Sequence, residues 1–165
     1  MKRTSKVLGV AGVGLTLLAA STRTSGPVLV WNRTYSVPVG LYRIAPSLHP
    51  RGEMAAVCLP AATAAFAAGR GYLPAKVLLL KPIAAVRGDR VCRWNASILI
   101  NGRRRAVATV QDRAGRAMPV WRGCRLLAEG DLFLMSASRD SFDSRYFGII
   151  STSAIIGRAI PLWTR

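Results

Sequence analysis

Ten residues, Val77 to Val86, are apolar apart from Lys81 and so constrain the fold most. A run this rich in Val, Leu and Ile reads as a buried strand. An ammonium inside such a strand is costly to desolvate without a partner. Burial favours the neutral amine and lowers its pKa, by up to several units. A shift of about three units costs about 4 kcal/mol and brings the amine near neutrality. A neutral lysine amine can act as a general base. The competing reading is a lysine that snorkels out at a strand edge. Pro82, directly after Lys81, removes one strand N–H and implies an edge or a bulge there.

The other charges point outward. Lys and Arg number 24 against seven Asp and Glu, a formal net charge of +17. Such an excess implies an anionic neighbour, phospholipid or nucleic acid. Arg103-Arg104-Arg105 is the only dense basic run, and no aromatic-interleaved RNA-binding pattern accompanies it. A membrane surface is therefore the expected partner, and no nucleic acid is expected.

The N-terminus agrees. A basic segment, Met1 to Lys6, precedes the apolar stretch Val7 to Ala20. As a helix that stretch is roughly 21 Å long, against about 30 Å of hydrocarbon. It reads as a secretory signal, with Ala19-Ala20-Ser21 as small residues at a cleavage point. A retained anchor stays open. The chain thus divides into a signal or anchor helix, 1–23, and an exported domain, 24–165. Export makes Cys58, Cys92 and Cys124 candidates for one disulfide and one free thiol, which the sequence alone does not assign. With no Cys-x-x-Cys and a single histidine, His49, no metal or other cofactor is expected.

Short apolar runs fill the rest. Strands are expected at Val28–Trp31, Leu41–Ile44, Met54–Leu59, Arg90–Trp94, Leu132–Met135 and Ile155–Ile160, with an edge strand at Met118–Trp121. Asn101-Gly102 suits the turn of a hairpin between Ser97–Ile100 and Arg103–Val110. Alanine-rich Ala61–Gly69 reads as a helix. Ser136–Arg145 reads as a polar loop. The expectation is a mainly β, antiparallel domain with one short helical insert.

His49 lies in Leu48-His49-Pro50 with no serine-elbow motif nearby, and the acids stand mostly in turns, so a His triad and a carboxylate pair are both poorly supported. A serine activated by a lysine amine fits better. Ser36-Val37-Pro38-Val39-Gly40-Leu41-Tyr42, Lys81 through Arg87-Gly88-Asp89, and Ser138-Arg139-Asp140-Ser141-Phe142-Asp143-Ser144-Arg145 resemble, in order and spacing, three boxes of the type I signal peptidases. Asn32-x-Thr34-x-Ser36, Cys92, Gly123-Cys124 and the ending Ile156 to Trp163 resemble the TraF-type conjugal-transfer branch.

The resemblance implies a signal-peptidase-like antiparallel β domain. It implies Ser36 as nucleophile and Lys81 as general base, with the Ser36 N–H and Thr34 hydroxyl facing the oxyanion. Ser141 would orient the lysine. Asp143 would be needed for activity and, with Arg145, hold the site together. Cys92–Cys124 is the implied disulfide, leaving Cys58 a buried free thiol. The implied activity is a serine endopeptidase, periplasmic and associated with or anchored to the bacterial inner membrane. Its substrate would be a conjugative pilin precursor, or another exported protein, and its partners components of a conjugation or type IV secretion system. Two other readings remain: a general type I signal peptidase, and a non-catalytic exported β module of a secretion complex.

Overall fold

The structure, a computed structural model, describes residues 29–46 and 49–165. The expected N-terminal signal or anchor helix lies outside them. Among the described residues no helix is long and apolar enough to cross a membrane.

Among the described residues eleven strands form two antiparallel sheets. The larger runs β1 (Leu29–Asn32), β2 (Gly40–Ala45), β11 (Ile155–Thr164), β3 (Met54–Val57), β4 (Leu79–Ala85), β9 (Asp131–Leu134), β10 (Ile150–Ser151). The smaller runs β7 (Arg103–Val107), β6 (Ser97–Ile100), β5 (Arg90–Trp94), β8 (Gly123–Leu126). Helix α1 is Ala61–Gly69. A one-turn helix, α2, spans Ser144–Phe147, and a 3₁₀ turn spans Thr152–Ala154. The fold is mainly β and antiparallel, as expected, with two short helical elements beyond the expected insert.

β4 is the central element. Leu79, Ile83 and the facing Ala55 belong to one core with Ala67 of α1, Leu132 and Leu134 of β9, and Phe142 and Tyr146. Lys81 alternates with Leu79 and Ile83 along the strand and so projects on their side, pairing in register with Ala55. Leu80 faces the other way, into a second cluster with Val37, Tyr42, Ala56 and Ala159. Ala85, Val91, Ile98, Ile100, Leu127 and Phe133 pack the two sheets together.

Several expectations are corrected. Of the two readings of Pro82, an edge or a bulge, the edge is overturned: β4 is interior, with β3 on one side and β9 on the other. Pro82 is tolerated because it falls beside the end of β9: its carbonyl accepts from the Met135 N–H, and the register with β9 shifts between Ile83 and Ala85. Met118–Trp121 is not a strand, although the Met118 N–H donates to the Val110 carbonyl. Gly123–Leu126, whose polar and exposed residues gave no strand signal, is one, held against β5 from Arg90↔Leu126 to Arg93↔Gly123. The Ser136–Arg145 segment is polar but largely buried: Ser136, Ser141, Asp143, Ser144 and Arg145 are all inside.

Cys92 and Cys124 face each other in that register and form a disulfide, sequence separation 32. Cys58 is a free thiol, but it is exposed rather than buried. It follows Val57 at the end of β3, outside the inward alternation.

Two glycines let backbones meet. A Cβ on Gly157 would stand 2.4 Å from the Ala45 carbonyl oxygen, and one on Gly40, at φ 151°, 2.0 Å from that of Trp163. Gly157→Ala should therefore lower the thermal midpoint by roughly 3–10 °C, the usual scale for overpacking in a chain of this size. Calorimetry checks this, and an unchanged midpoint would contradict the close approach of β11 to β2.

Candidate active site

The loop between β1 and β2, residues 33–39, carries Ser36. Asn32, the last residue of β1, is buried and builds it. Its Nδ2 donates to the carbonyls of Thr34 (2.9 Å), Val37 (3.1 Å) and Pro38 (2.9 Å). Its Oδ1 accepts from the Thr34 N–H (3.1 Å) and the Thr34 hydroxyl (2.9 Å). The Tyr42 hydroxyl donates to the Pro38 carbonyl at 2.7 Å, and Val37 anchors the loop in the core. One asparagine side chain thus satisfies backbone groups that a free loop would leave to water.

Lys81 reaches this loop from β4. Its Nζ lies 2.5 Å from Ser36 Oγ, and Thr34 Oγ1 lies 3.2 Å from the same oxygen. Lys81 is 2 % exposed. Burial holds its pKa down to about 8, opposed by the negative charge of Asp143 and assisted by the positive charge of Arg145. An amine in this state exchanges its proton near neutral pH.

Asp143 and Arg145 form the third side. Both are fully buried and joined by a two-point ion pair: Nε to Oδ1 at 2.9 Å and Nη2 to Oδ2 at 2.8 Å. Asp143 Oδ1 also accepts from the Arg145 N–H, and Oδ2 from the Ser136 N–H. All four acceptor sites of the carboxylate are thereby used, and none goes to Ser36 or Lys81. Arg145 Nη2 donates to the carbonyls of Ser136 (3.2 Å) and Ser138 (2.6 Å). Arg93, buried on β5, donates to the Arg145 carbonyl at 2.6 Å and ties the smaller sheet to α2. Buried charges that are paired and hydrogen-bonded on every side in this way fix a geometry more than they add stability.

The pair acts on the loop through Ser136, whose hydroxyl donates to the Ser36 carbonyl. Ser141 does not bond Lys81: its Oγ is buried without a hydrogen-bond partner. The structure thus brings Ser36, Lys81 and Thr34 into direct contact and sets Asp143 and Arg145 behind them, with Ser141 beside the same cleft. Cys92 and Cys124 are elsewhere, on the smaller sheet. Sequence reasoning named Asn32 in a motif but gave it no role, and missed Ser136. Asn32 was visible as the polar end of an apolar run; Ser136 left no signal apart from polarity.

A cleft of about 670 Å³ opens on Ser36 and Lys81. Leu73, Leu79, Met118, Phe142 and Tyr146 make much of it apolar. Asp112 also lines it, its carboxyl kept well below the usual carboxylate range by the Tyr72 hydroxyl and by Arg116. Among the described residues no three His, Cys, Asp or Glu side chains converge as a metal ion would need.

The family model of "Signal peptidase, peptidase S26" matches residues 1–163. The chain belongs to the signal peptidase S26 family. Two relatives named for conjugal or plasmid transfer are similar to it over nearly its whole length. It is 34 % identical to the conjugal transfer protein TraF of Agrobacterium fabrum over 96 % of this chain and 94 % of that protein. It is 32 % identical to a plasmid transfer protein TraF of Escherichia coli over 99 % of this chain and 98 % of that one. Among solved structures, a signal peptidase I of Enterococcus faecalis V583 superposes with a TM-score of 0.39 at 18 % identity, covering 69 % of this chain and 98 % of that one.

Lys81 ties stability to pH with a definite sign. The folded state binds the lysine proton less tightly than the unfolded state, so charged Lys81 destabilises the fold below about pH 8. The cost, about 3 kcal/mol from the shift between 10.5 and about 8, fades as pH rises through that interval. Lys81→Met should raise the thermal midpoint at pH 7, with the gain shrinking toward pH 10.5. Melting curves across that range check it; a pH-independent difference would contradict a buried, depressed amine.

Proposed function

We propose that this S26-family protein is a serine endopeptidase using Ser36 and Lys81 to process an exported, membrane-associated precursor, the pilin of a conjugation system. The observation that carries the reading is the 2.5 Å contact between a buried lysine amine and the Ser36 hydroxyl. The names of the full-length TraF relatives support the conjugal setting. The location that follows is the periplasmic face of the inner membrane.

The chemistry runs through this chain's own groups. With Lys81 neutral, the hydrogen bond points from Ser36 Oγ to Nζ. The amine takes the hydroxyl proton as Oγ bonds to the scissile carbonyl carbon. The Thr34 hydroxyl turns from Asn32 Oδ1 to the oxyanion, alongside the Ser36 N–H. Collapse breaks the C–N bond, and the Lys81 ammonium returns its proton to the leaving amine. The Ser36 ester is then resolved by water, giving a linear product, or by the substrate's own amine, giving a cyclic one.

Asp143 is a positioning residue in this scheme: with Arg145 it holds Ser136, and Ser136 holds the Ser36 carbonyl. Ser141, buried and unpartnered, is available to accept from the ammonium once the proton has moved. The apolar cleft suits an extended segment with small, uncharged residues at the cleaved bond.

Ser36→Ala and Lys81→Ala should both leave pilin precursor unprocessed while the protein stays folded, as read by mass spectrometry of the pilin. Thr34→Val should slow processing by about 10²–10³-fold, the usual loss for one oxyanion donor. Wild-type activity should rise with pH through about 8 as Lys81 deprotonates. Continued pilin processing in both alanine variants would remove this chain as its peptidase. Lost cleavage of unrelated exported precursors alongside the pilin would instead favour a general signal peptidase.

A further inference from the structure

The basic run Arg103–Arg105 plays no part in the site just described, yet the fold aims two of its arginines at one place. In the β6–β7 ladder Ile98 pairs with Ala106 and Leu99 with Arg104, so Arg104 and Arg105 together oppose Leu99. This is a β-bulge, which breaks the alternation and re-aims side chains. Both arginines line a second cleft of about 410 Å³, and Arg139 lines it too, from the segment after β9. The cleft contains no Asp or Glu. Arg145 reaches it already paired with Asp143. None of the seven ion pairs among the described residues uses Arg104, Arg105 or Arg139.

Three uncompensated guanidinium groups around one small concavity repel one another until an anion joins them. Arginine forks match the oxygens of a phosphate group. We propose that Arg104, Arg105 and Arg139 form a binding site for a phosphate group, carried by an acidic lipid headgroup or supplied as free phosphate. The rest of the cleft favours the lipid: Val107, Met135 and Ala137 offer apolar surface beside the charges. No aromatic ring lines it, so it has no platform on which a nucleic-acid base could stack. Its lining includes Ser136 and Arg145, the residues that brace the Ser36 loop. The site does not depend on the proposed peptidase activity.

The test titrates the full-length chain, in non-ionic detergent, with short-chain phosphatidylglycerol, its zwitterionic choline counterpart, and inorganic phosphate, read by calorimetry. Arg104→Gln with Arg105→Gln should weaken phosphatidylglycerol binding by about tenfold or more, as the loss of one or two charge-assisted bonds implies. Arg122→Gln with Arg125→Gln, exposed on or beside β8 and outside the cleft, removes equal charge and should change it by less than about twofold. If the first double variant fails to fold, the single Arg139→Gln carries the same expectation from outside β7. Equally tight, equally Arg104-dependent binding of inorganic phosphate would support the site and assign it to free phosphate. Equal losses in both double variants would overturn the site in favour of diffuse charge. Equal affinity for the choline lipid, or tighter Arg104-dependent binding of a single-stranded oligonucleotide, would overturn it as well.

Discussion

Everything at the candidate site depends on keeping an amine where water does not reach. Lys81 stands on the core side of β4, flanked by Leu79 and Ile83 and opposite the small side chain of Ala55. Burial there disfavours the ammonium, and its hydrogen-bond partner among the described residues is the Ser36 hydroxyl. A depressed lysine and a serine oxygen at 2.5 Å are therefore two views of a single arrangement. The arrangement costs folding free energy near neutral pH, and the surrounding β3–β4–β9 core must supply it.

The second requirement is precision in the partner. Ser36 lies on a seven-residue loop, and loops move unless their backbone groups are held. Here two side chains hold it from opposite sides. Asn32 collects three carbonyls and two donors from within the loop, and Ser136 binds the Ser36 carbonyl from outside. Ser136 is in turn fixed through its N–H by Asp143 and through its carbonyl by Arg145. The buried ion pair thus works at one remove from the chemistry. Truncating either partner would leave the other charge buried and unpaired, a loss typically of about 3–5 kcal/mol.

Much of this was legible in the sequence because it rests on local pattern. The apolar run around Lys81 located β4, Asn101-Gly102 located the β6–β7 hairpin, with φ of 52° and 76° at the turn, and the alanine tract located α1. What stayed hidden was set by tertiary contact. β8 is four exposed residues that form a strand because β5 offers an edge, with Cys92 across from Cys124. The Ser136–Arg145 segment has the composition of a solvated loop, yet the Asp143–Arg145 pair neutralises the two charges that go inside, while Arg139 and Asp140 stay exposed. Pro82 argued for an edge or a bulge: β4 is interior, and the β4–β9 register shifts between Ile83 and Ala85, just past the proline, where the end of β9 excuses its missing N–H. Ser141 resembled a lysine-orienting serine, and its hydroxyl stands without a partner.

The most direct test of the account is the titration of Lys81 itself. The chain has four lysines, Lys2, Lys6, Lys76 and Lys81, so side-chain labelling with ¹³C and one substitution assigns the signal. The account predicts a midpoint near pH 8 for Lys81, with the neutral amine prevailing above it. A midpoint at the ordinary 10.5 would mean that the ammonium is solvated, and the Ser36–Lys81 arrangement would not be that of a nucleophile and its base.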